Sequence, residues 1–303
     1  MRVAYITDEV YLRHDTGPMH PESPKRLIAI ESALEAFKDE LVRAEPVSAS
    51  EEIIQLVHAP QLIETVKEAS ANETPIDADT VCSKDSFLAA KKAVGAGIVA
   101  VDGVKTGKFD RAFCAVRPPG HHATPTNAMG FCLFNNIAIT ARYAQSVGYE
   151  KVMIIDFDVH HGNGTQETFW EDDTVFYFSS HQSFAYPGTG AESDIGEGKG
   201  RGYTANFFMM PESGDAELLD IYQNDLPPLA EKFQPDIILV SAGYDLHESD
   251  PLTGLNVTTE GIRKMVRSIL SLRHVPYIFF LEGGYHLDAL GENVRVTIEE
   301  MLQ

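Results

Sequence analysis

Near-continuous apolar segments that alternate with helical segments are the feature of this sequence that most limits its fold. The predicted strands are Arg2–Ile6, Ala112–Val116, Lys151–Asp156, Thr174–Ser179, Tyr203–Met209, Asp236–Ser241 and Tyr277–Leu281. Runs of Ile, Leu, Val and Phe without regular polar alternation indicate strands that are buried on both faces. The pattern predicts an α/β fold of three layers, in which helices cover both faces of a mainly parallel sheet. It predicts one domain over residues 1–303.

Helical periodicity occupies the intervals between these strands. Predicted helices follow Ser23-Pro24 and cover Glu51–Val57, Pro60–Ala69, Ser86–Val104, Asn135–Val147, Ala216–Lys232, Thr258–Leu272 and Leu287–Met301. Ser followed by Pro fits an N-cap and the first position of a helix. By contrast, the four glycines of Gly196–Gly202 predict a flexible loop or a hairpin turn.

The charge balance restricts the partners of the protein. Its 24 Lys and Arg residues face 45 Asp and Glu residues, which gives a formal net charge of −21. This excess of acid disfavours direct nucleic-acid binding and an anionic membrane surface, whereas a cationic partner is allowed. No apolar run approaches the ~18 residues of a membrane span. The charged first residues are unlike a signal peptide, and three cysteines are too few for a disulfide framework, so we expect a cytoplasmic protein.

Polar motifs follow four of the predicted strands. They begin at Arg117 (RPPGHH), Asp156 (DFDVHHGNGT), Ser241 (SAGYD) and Glu282 (EGGYH). Carboxyl ends of parallel strands lie at one edge of a sheet, where α/β proteins bind their ligands. Packing alone does not require Gly together with His, Asp or Tyr at four such positions. The sequence therefore predicts a functional site at this edge.

Asp158 and His160 are the first candidates for a metal site. Alternate residues of an extended segment point the same way, so the carboxylate and the imidazole converge. Both groups suit zinc, which in a catalytic site needs a third protein ligand and an open position for water. Asp250 is the leading third ligand, with Asp245 and His247 as rivals. The alternative interpretation of Asp158 and His160 is a capped turn with a hydrogen-bonded histidine.

The adjacent histidines His121 and His122 suit acid–base chemistry better than joint metal ligation, because neighbouring side chains diverge on an extended backbone. One ring can act at a metal-activated water and the other at a leaving group. A histidine needs a partner on its second nitrogen to fix its tautomer, and Asp156 and Asn163 are available for this. Two exposed loop histidines are the alternative.

Tyr285 and two further aromatic residues complete the candidate site. Tyr285 follows two glycines that allow the backbone to bend, and its phenol can donate a hydrogen bond to an oxyanion. Phe131, which follows Gly130, and Tyr186 could line an apolar slot. Taken one at a time, these aromatic residues fit simple core packing equally well.

Seven motifs, in this order, resemble those of the histone deacetylase family. They are His20–Arg26, Arg117–Ala123, Gly130–Asn136, Asp156–Thr165, Tyr186–Gly190, Ala242–Leu252 and Leu281–Leu287. The resemblance covers nearly the whole chain and implies the arginase/deacetylase fold. The HPE and HHGNGTQ forms are similar to class II deacetylases and to bacterial histone deacetylase-like amidohydrolases, which are related to acetylpolyamine amidohydrolases.

The resemblance implies two kinds of metal ion. It implies one catalytic zinc ion held by Asp158, His160 and Asp250, and it thereby favours Asp250 over the rival ligands. It also implies a structural potassium ion near Asp156, Asp158, His160, Ser179 and Ser180. Arginases share the fold but bind two manganese ions through a further Asp. Gly162 occupies that position here, so we predict a single catalytic metal.

The resemblance also implies roles for the remaining residues. His121 and His122 become the acid–base pair, with His122 nearer the general-base role. Asp156 pairs with His121, and Asn163 stands beside His122 where class I members carry Asp. Tyr285 becomes the oxyanion donor. The substrate channel is implied to consist of Gly130, Phe131, Tyr186 and Leu252, and Tyr186 departs from the phenylalanine that is common in the family.

The implied reaction is hydrolysis of the amide of N-acetyl-lysine, in a protein or peptide, by a metal-activated water. An acetylpolyamine amidohydrolase is the first alternative. The related polyamine-selective enzyme has a Glu gatekeeper after the Asp-Pro pair, whereas this chain has Leu252, which favours acyl-lysine. A pseudoenzyme that binds acyl-lysine without cleaving it is another alternative, although none of the implied catalytic residues is missing. The oligomeric state is left open.

Overall fold

Eight strands form one sheet in the computed structural model, which describes residues 1–303. They are β1 Val3–Ile6, β2 Leu41–Ala44, β3 Arg111–Cys114, β4 Val152–Asp156, β5 Val175–Gln182, β6 Thr204–Met209, β7 Ile237–Ala242 and β8 Tyr277–Leu281. Their order across the sheet is β2-β1-β3-β8-β7-β4-β5-β6. Every pairing is parallel, so the predicted α/β fold with a parallel sheet is confirmed.

Ten α-helices pack on this sheet. They are α1 Lys25–Leu34, α2 Glu51–Ile54, α3 Pro60–Asn72, α4 Ser86–Lys105, α5 Asn136–Ser146, α6 Asn163–Thr168, α7 Asp215–Asp220, α8 Leu226–Phe233, α9 Thr259–Leu270 and α10 Leu287–Leu302. One packed group contains α1, α7, α9 and α10, and another contains α2 to α5. Strands β4, β7 and β8 are buried along their whole length, as expected for a sheet with both faces covered. None of the helices is both long and apolar enough to cross a membrane.

The structure differs from the predicted elements in four places, of which the first three are short segments. Strand β2 was not predicted, because it is a four-residue edge strand whose outer residues are partly exposed. Helix α6 was not predicted either, since its six residues are too few to show a helical period. The glycine-rich segment Gly196–Gly202 contains a 3₁₀ turn at Gly198–Gly200 and leads into β6, which pairs with β5 in parallel. The hairpin interpretation of that segment is therefore wrong.

The predicted helix Ala216–Lys232 is interrupted by a π-helical turn at Ile221–Asp225, which joins α7 to α8. Pro227 and Pro228 follow Leu226 in the first turn of α8. Proline has no N–H, so the carbonyls of Gln223 and Asn224, four residues earlier, receive no regular α-helical hydrogen bond, and a regular α-helix cannot lead from α7 into α8. The apolar periodicity persists across the interruption, which explains why the sequence pattern predicts one helix.

A fully buried ionic cluster fixes the segment that precedes α1. The carboxylate of Glu22 accepts hydrogen bonds from Arg26 Nη1 at 3.1 Å and from Arg117 Nη2 at 2.8 Å, and it also contacts Arg117 Nε. All three side chains have no solvent exposure. Burial alone would raise the pKa of Glu22, but the charges of Arg117 and Arg26 lower it to about 2.

The two arginines of this cluster connect it to the strand ends that carry the polar motifs. Arg26 Nε donates to the carbonyl of Gly284 at 2.7 Å, and its Nη2 donates to the carbonyl of Glu282, just beyond β8. Arg117, which lies beyond β3, donates to the carbonyl of His14 at 3.0 Å. The cluster therefore joins the N-terminal segment to two neighbouring strand ends.

We expect the Glu22→Ala variant to lose about 3–5 kcal/mol of unfolding free energy in urea titrations, because two buried guanidinium groups lose their counter-charge. Since the pKa of Glu22 in the folded chain is about 2, its stabilisation is present above pH ~4.5 and is lost as the pH falls toward 2. Glu31→Ala is the control, since Glu31 pairs with Arg43 at the surface and should contribute at most about 1 kcal/mol. Equal losses in both variants would contradict the role of the cluster.

Candidate active site and metal centre

The predicted site residues surround one cavity of about 430 Å³ at the carboxyl edge of the sheet. The structure brings together there the histidine pair, one of the expected metal ligands, the tyrosine and the whole expected channel. The predicted site residues that line the cavity are His121, His122, His160, Tyr285, Gly130, Phe131, Tyr186 and Leu252. Asp79, on the loop between α3 and α4, also lines it and was not anticipated.

Three side chains at the base of the site form a group that could hold a metal ion. They are Asp158 and His160, beyond β4, and Asp245, beyond the neighbouring strand β7. Their ligand atoms all lie within 4.8 Å of one another. His160 Nδ1 is 3.1 Å from Asp158 Oδ1 and 3.1 Å from Asp245 Oδ2. Two carboxylates and one imidazole that converge in this way are a suitable ligand set for zinc.

The electrostatics of this group also fit a cation. Burial alone would raise the pKa of Asp158, but His121 and His160 lower it far below its usual range. Burial and the neighbouring Asp158 raise the pKa of Asp245, so this carboxyl group lacks enough positive charge nearby. A divalent ion among the three side chains would supply that charge. Gly283 leaves the necessary room, since a Cβ atom there would lie 2.1 Å from Asp245 Oδ2.

The group that could hold a metal ion contains Asp245 in the place where Asp250 was expected. The carboxylate of Asp250 accepts backbone hydrogen bonds from Tyr285 at 2.6 Å, His286 at 3.2 Å and Leu252 at 3.1 Å. It therefore faces the loop beyond β8 and not Asp158 and His160. Asp250 anchors the segment that carries Tyr285, and it also holds the start of the loop at Leu252.

The other rival, His247, also points away from the metal group. Its Nδ1 accepts a hydrogen bond from the backbone N–H of Ser249 at 3.1 Å. Its Nε2 lies 3.2 Å from the hydroxyl of Thr259 at the start of α9. His247 thus fixes the turn that follows β7, and the structure assigns it no ligand role.

The histidine pair has the hydrogen-bond partners that were expected. His121 Nδ1 lies 3.1 Å from Asp156 Oδ2, and His122 Nδ1 lies 2.9 Å from Asn163 Oδ1. The centroids of the two rings are 4.0 Å apart. Because the amide oxygen of Asn163 can only accept, His122 donates through Nδ1 and keeps the lone pair of Nε2 free.

The environments of the two rings separate their pKa values. Burial would lower the pKa of His121, but Asp156, Asp158 and Glu282 raise it to about 10. Burial lowers the pKa of His122 well below 6.5, and the neighbouring His121 lowers it further. The pKa values of the two rings are thus shifted in opposite directions, which is the arrangement of a proton donor beside a proton acceptor.

Glu282 is a buried residue of this site that the sequence analysis did not assign. Its carboxylate accepts backbone hydrogen bonds from Gly120 at 2.7 Å and His121 at 3.2 Å, and a third from Ser241 Oγ at 3.1 Å. Burial raises its pKa to about 7. Glu282 therefore holds the loop of the histidine pair against β7. The available signal was an acidic residue directly after a wholly apolar strand.

Asp156 has a second partner that the sequence analysis also did not identify. Tyr177, on the neighbouring strand β5, donates its hydroxyl to Asp156 Oδ2 at 3.1 Å. A Cβ atom at Gly162 would lie 2.2 Å from the same carboxylate oxygen, so only glycine fits there. These contacts fix the carboxylate that orients His121.

Tyr285 is held at the cavity wall by contacts of its ring and by the bend of its backbone. Its ring lies edge-on to Phe131 with centroids 6.0 Å apart, and the guanidinium carbon of Arg26 is 5.0 Å from the ring centre. Gly284 supplies the bend, with a φ of +113°. Burial, together with Asp245, raises the pKa of Tyr285 well above 10, so its hydroxyl stays protonated and can donate.

Aromatic rings form the walls of the cavity. Tyr186 meets the ring of His122 edge-on at 5.0 Å, and His20 meets Phe131 edge-on at 4.6 Å. Gly130 has a φ of +57°, and a Cβ atom there would lie 2.6 Å from the His122 ring. Leu252 is at the mouth, where 44% of it is exposed. A narrow aromatic channel of this kind suits an extended aliphatic chain.

The residues implied in potassium binding lie on β4, β5 and the segment after β4. Asp156 pairs in register with Ser179 on the adjacent strand. The hydroxyl of Ser179 lies 2.9 Å from His181 Nδ1, and that of Ser180 lies 2.8 Å from the hydroxyl of Tyr222. Both serine side chains are thus engaged with protein partners, and potassium binding stays a prediction.

Metal affinity should distinguish Asp245 from Asp250. We expect Asp245→Asn to weaken zinc binding by more than about 100-fold in competition with a chelating dye, since residues outside the ligand shell alone are worth 10–100-fold. Asp250→Asn serves as the matched control and should retain zinc, because its carboxylate faces backbone N–H groups. Circular dichroism verifies that both variants fold. Zinc loss in the Asp250 variant alone would restore the original expectation.

Comparisons with known proteins identify the family of this chain. The family model of the histone deacetylase domain matches residues 20–301. The rice (Oryza sativa subsp. japonica) protein "Histone deacetylase 10, chloroplastic" is 42% identical over 313 aligned residues, which cover 93% of this chain and 70% of that protein. A "Probable deacetylase" of Archaeoglobus fulgidus is 37% identical over 95% of this chain and 82% of its own length.

A solved structure gives the same result for the fold. The "Crystal Structure of HDA15 HD domain" matches with a TM-score of 0.96 and 35% identity, covering 99% of this chain and 89% of that one. The predicted arginase/deacetylase fold and the predicted resemblance are therefore confirmed. This chain belongs to the histone deacetylase family of deacetylase enzymes.

Proposed function

We propose that this protein is a zinc-dependent deacetylase that hydrolyses the amide of N-acetyl-lysine in a protein or peptide. The observation that carries the proposal is that one cavity is lined by His160 of the Asp158–His160–Asp245 group, by a histidine pair with separated pKa values, and by Tyr285. Membership of the family supports the reaction class, and the donor set supports the metal.

Asp158, His160 and Asp245 would hold a single zinc ion. Bound there, zinc supplies the Lewis acidity that polarises an amide carbonyl and lowers the pKa of a water molecule from 15.7 toward ~7. A second carboxylate for another catalytic metal is not available after His161, where the chain continues with Gly162. The proposal therefore keeps the one-metal expectation and differs from it only in the third ligand.

The remaining chemistry belongs to the side chains of this protein. His122 Nε2, with its free lone pair, takes the proton of the attacking water. The hydroxyl of Tyr285 donates a hydrogen bond to the oxyanion that forms at the carbonyl. A histidine of the pair then protonates the departing amine nitrogen as the C–N bond breaks, and the raised pKa of His121 suits it to this step. Amide and water thus give amine and carboxylate.

The channel supports acyl-lysine as the substrate class. Phe131 and Tyr186 provide aromatic walls for the methylene groups of a lysine side chain, and Leu252 offers no charge to a distal ammonium group. One observation favours the alternative, an acetylpolyamine amidohydrolase: Asp79 places a carboxylate on the cavity wall. The net charge of −21 favours both cationic substrates equally.

Two further features belong to the proposal. A structural potassium ion near Asp156, Asp158, His160, Ser179 and Ser180 follows from the resemblance. A cytoplasmic location is supported by the cysteines, which are all buried and free. The proposed partners are acylated substrates, without direct contact with nucleic acid or a membrane surface.

A hydrolysis panel tests the proposed substrate class. Zinc-loaded protein should cleave an acetyl-lysine peptide with a kcat/KM at least about tenfold above that for acetylputrescine. A single substrate group that matches or mismatches its pocket changes kcat/KM by roughly that factor. Metal-stripped protein is the control. A preference for acetylputrescine that disappears in Asp79→Asn would replace the proposal with its alternative.

Replacing the tyrosine hydroxyl tests the mechanism. We expect Tyr285→Phe to retain zinc and its ring contacts while kcat falls by roughly 10²–10³, since one oxyanion donor is lost. The control is Tyr143→Phe on α5, which loses only a hydroxyl contact with Asp102. Steady-state kinetics and metal analysis of both proteins give the answer, and nearly full activity of the Tyr285 variant would remove the assigned role.

A further inference from the structure

A second cavity of about 570 Å³ adjoins the active-site cavity. The segment 182–186, beyond β5, separates the two, and its residues Gln182, Phe184, Ala185 and Tyr186 line both. The far side of this second cavity, which we call the side groove, is formed by Phe208 and Met210 at the end of β6. The active-site cavity and the side groove therefore share the wall that segment 182–186 forms.

Phe184 presents its ring to solvent at the boundary of the two cavities. It is 92% exposed, and its φ is +64°, in a region that bulky side chains rarely occupy. Met210 and Phe208 extend the apolar surface, with exposures of 56% and 40%. Backbone conformations with positive φ, as at Phe184, persist where the surrounding structure enforces them, and they cluster at binding sites. An uncovered apolar surface beside a substrate channel also gains free energy when an apolar group covers it.

The ionisable side chains in the side groove, those of His161, His181 and Asp194, are already engaged. His181 Nε2 lies 3.0 Å from the carbonyl of Gly190, and His161 Nδ1 lies 2.8 Å from the hydroxyl of Thr189. The carboxylate of Asp194 accepts the backbone N–H of Ala191 at 3.0 Å. Because these groups have partners, the side groove offers mainly apolar contacts to an occupant.

We propose that the side groove accepts an apolar side chain next to the acyl-lysine in a polypeptide substrate. This inference rests on the proposed function, since the acyl-lysine must first occupy the aromatic channel. The shared wall at Phe184 brings the groove within reach of a residue that neighbours the lysine. An acetylated polyamine carries no side chain that could fill it, so the groove is a specificity device for polypeptides.

Peptide kinetics test the inference. We compare Gly-Gly-Lys(acetyl)-Gly-Gly peptides with the same peptides carrying Phe or Leu at one of the four flanking positions. At one position, the ratio of kcat/KM for the apolar peptide to that for the glycine peptide should be about ten. Phe184→Ala and Met210→Ala should each lower this ratio toward one. Ile28→Ala is the matched control, because Ile28 is 56% exposed on α1, and this variant should keep the ratio of the parent.

The outcomes separate the two levels of the proposal. If no acetyl-lysine peptide is hydrolysed, the proposed function fails, and the groove assignment fails with it. If the peptides are hydrolysed but the parent ratio is near one at every position, only the groove assignment fails. An octanoyl-lysine peptide provides the competing occupant: a loss of its kcat/KM in Phe184→Ala and Met210→Ala, with unchanged flanking ratios, would assign the groove to long acyl chains and overturn the inference.

Discussion

Four carboxylates buried at one edge of the sheet are the constraint on which the rest of the site depends. Asp156, Asp158, Asp245 and Glu282 are at most 1% exposed. Burying charge is costly unless each group is hydrogen-bonded and balanced by positive charge. Backbone N–H groups of neighbouring loops meet part of this need, as Gly283 does for Asp158 at 2.8 Å. The histidines supply positive charge, and the proposed metal would supply more. The loops beyond the strands pack over the four carboxylates and supply the hydrogen bonds that offset the cost of burying them.

The sequence pattern predicted those elements whose formation depends on residues close together in the chain. The buried strands and the parallel sheet follow from the apolar runs. The pairs His121–Asp156 and His122–Asn163 follow from the family resemblance, and both are in contact in the structure. Strand β2 and helix α6 are too short to carry a period, and their existence depends on neighbours that are distant in sequence.

The choice between Asp245 and Asp250 shows where sequence reasoning ends. Both are acidic residues just beyond β7, and either could have met Asp158 and His160. Asp250 is turned away from them because its carboxylate accepts a hydrogen bond from the backbone N–H of Tyr285, 35 positions further along the chain. Glu282 escaped assignment for a similar reason, since its partners lie on the loop beyond β3 and on β7. Long-range hydrogen bonds of this kind leave no spacing signature in the sequence.

The hydrogen bonds of Asp250 have a consequence for how such an enzyme can change over evolutionary time. One carboxylate holds both the backbone of Leu252 at the channel mouth and the backbone of Tyr285 beside the reacting carbonyl. Substitutions that reshape the mouth to admit a new substrate will shift the same anchor that places the phenol. Substrate range and turnover are therefore not independently adjustable traits here. A lineage that broadens its substrate range therefore needs further substitutions that restore the position of Tyr285. Those substitutions should be sought in the loop beyond β8.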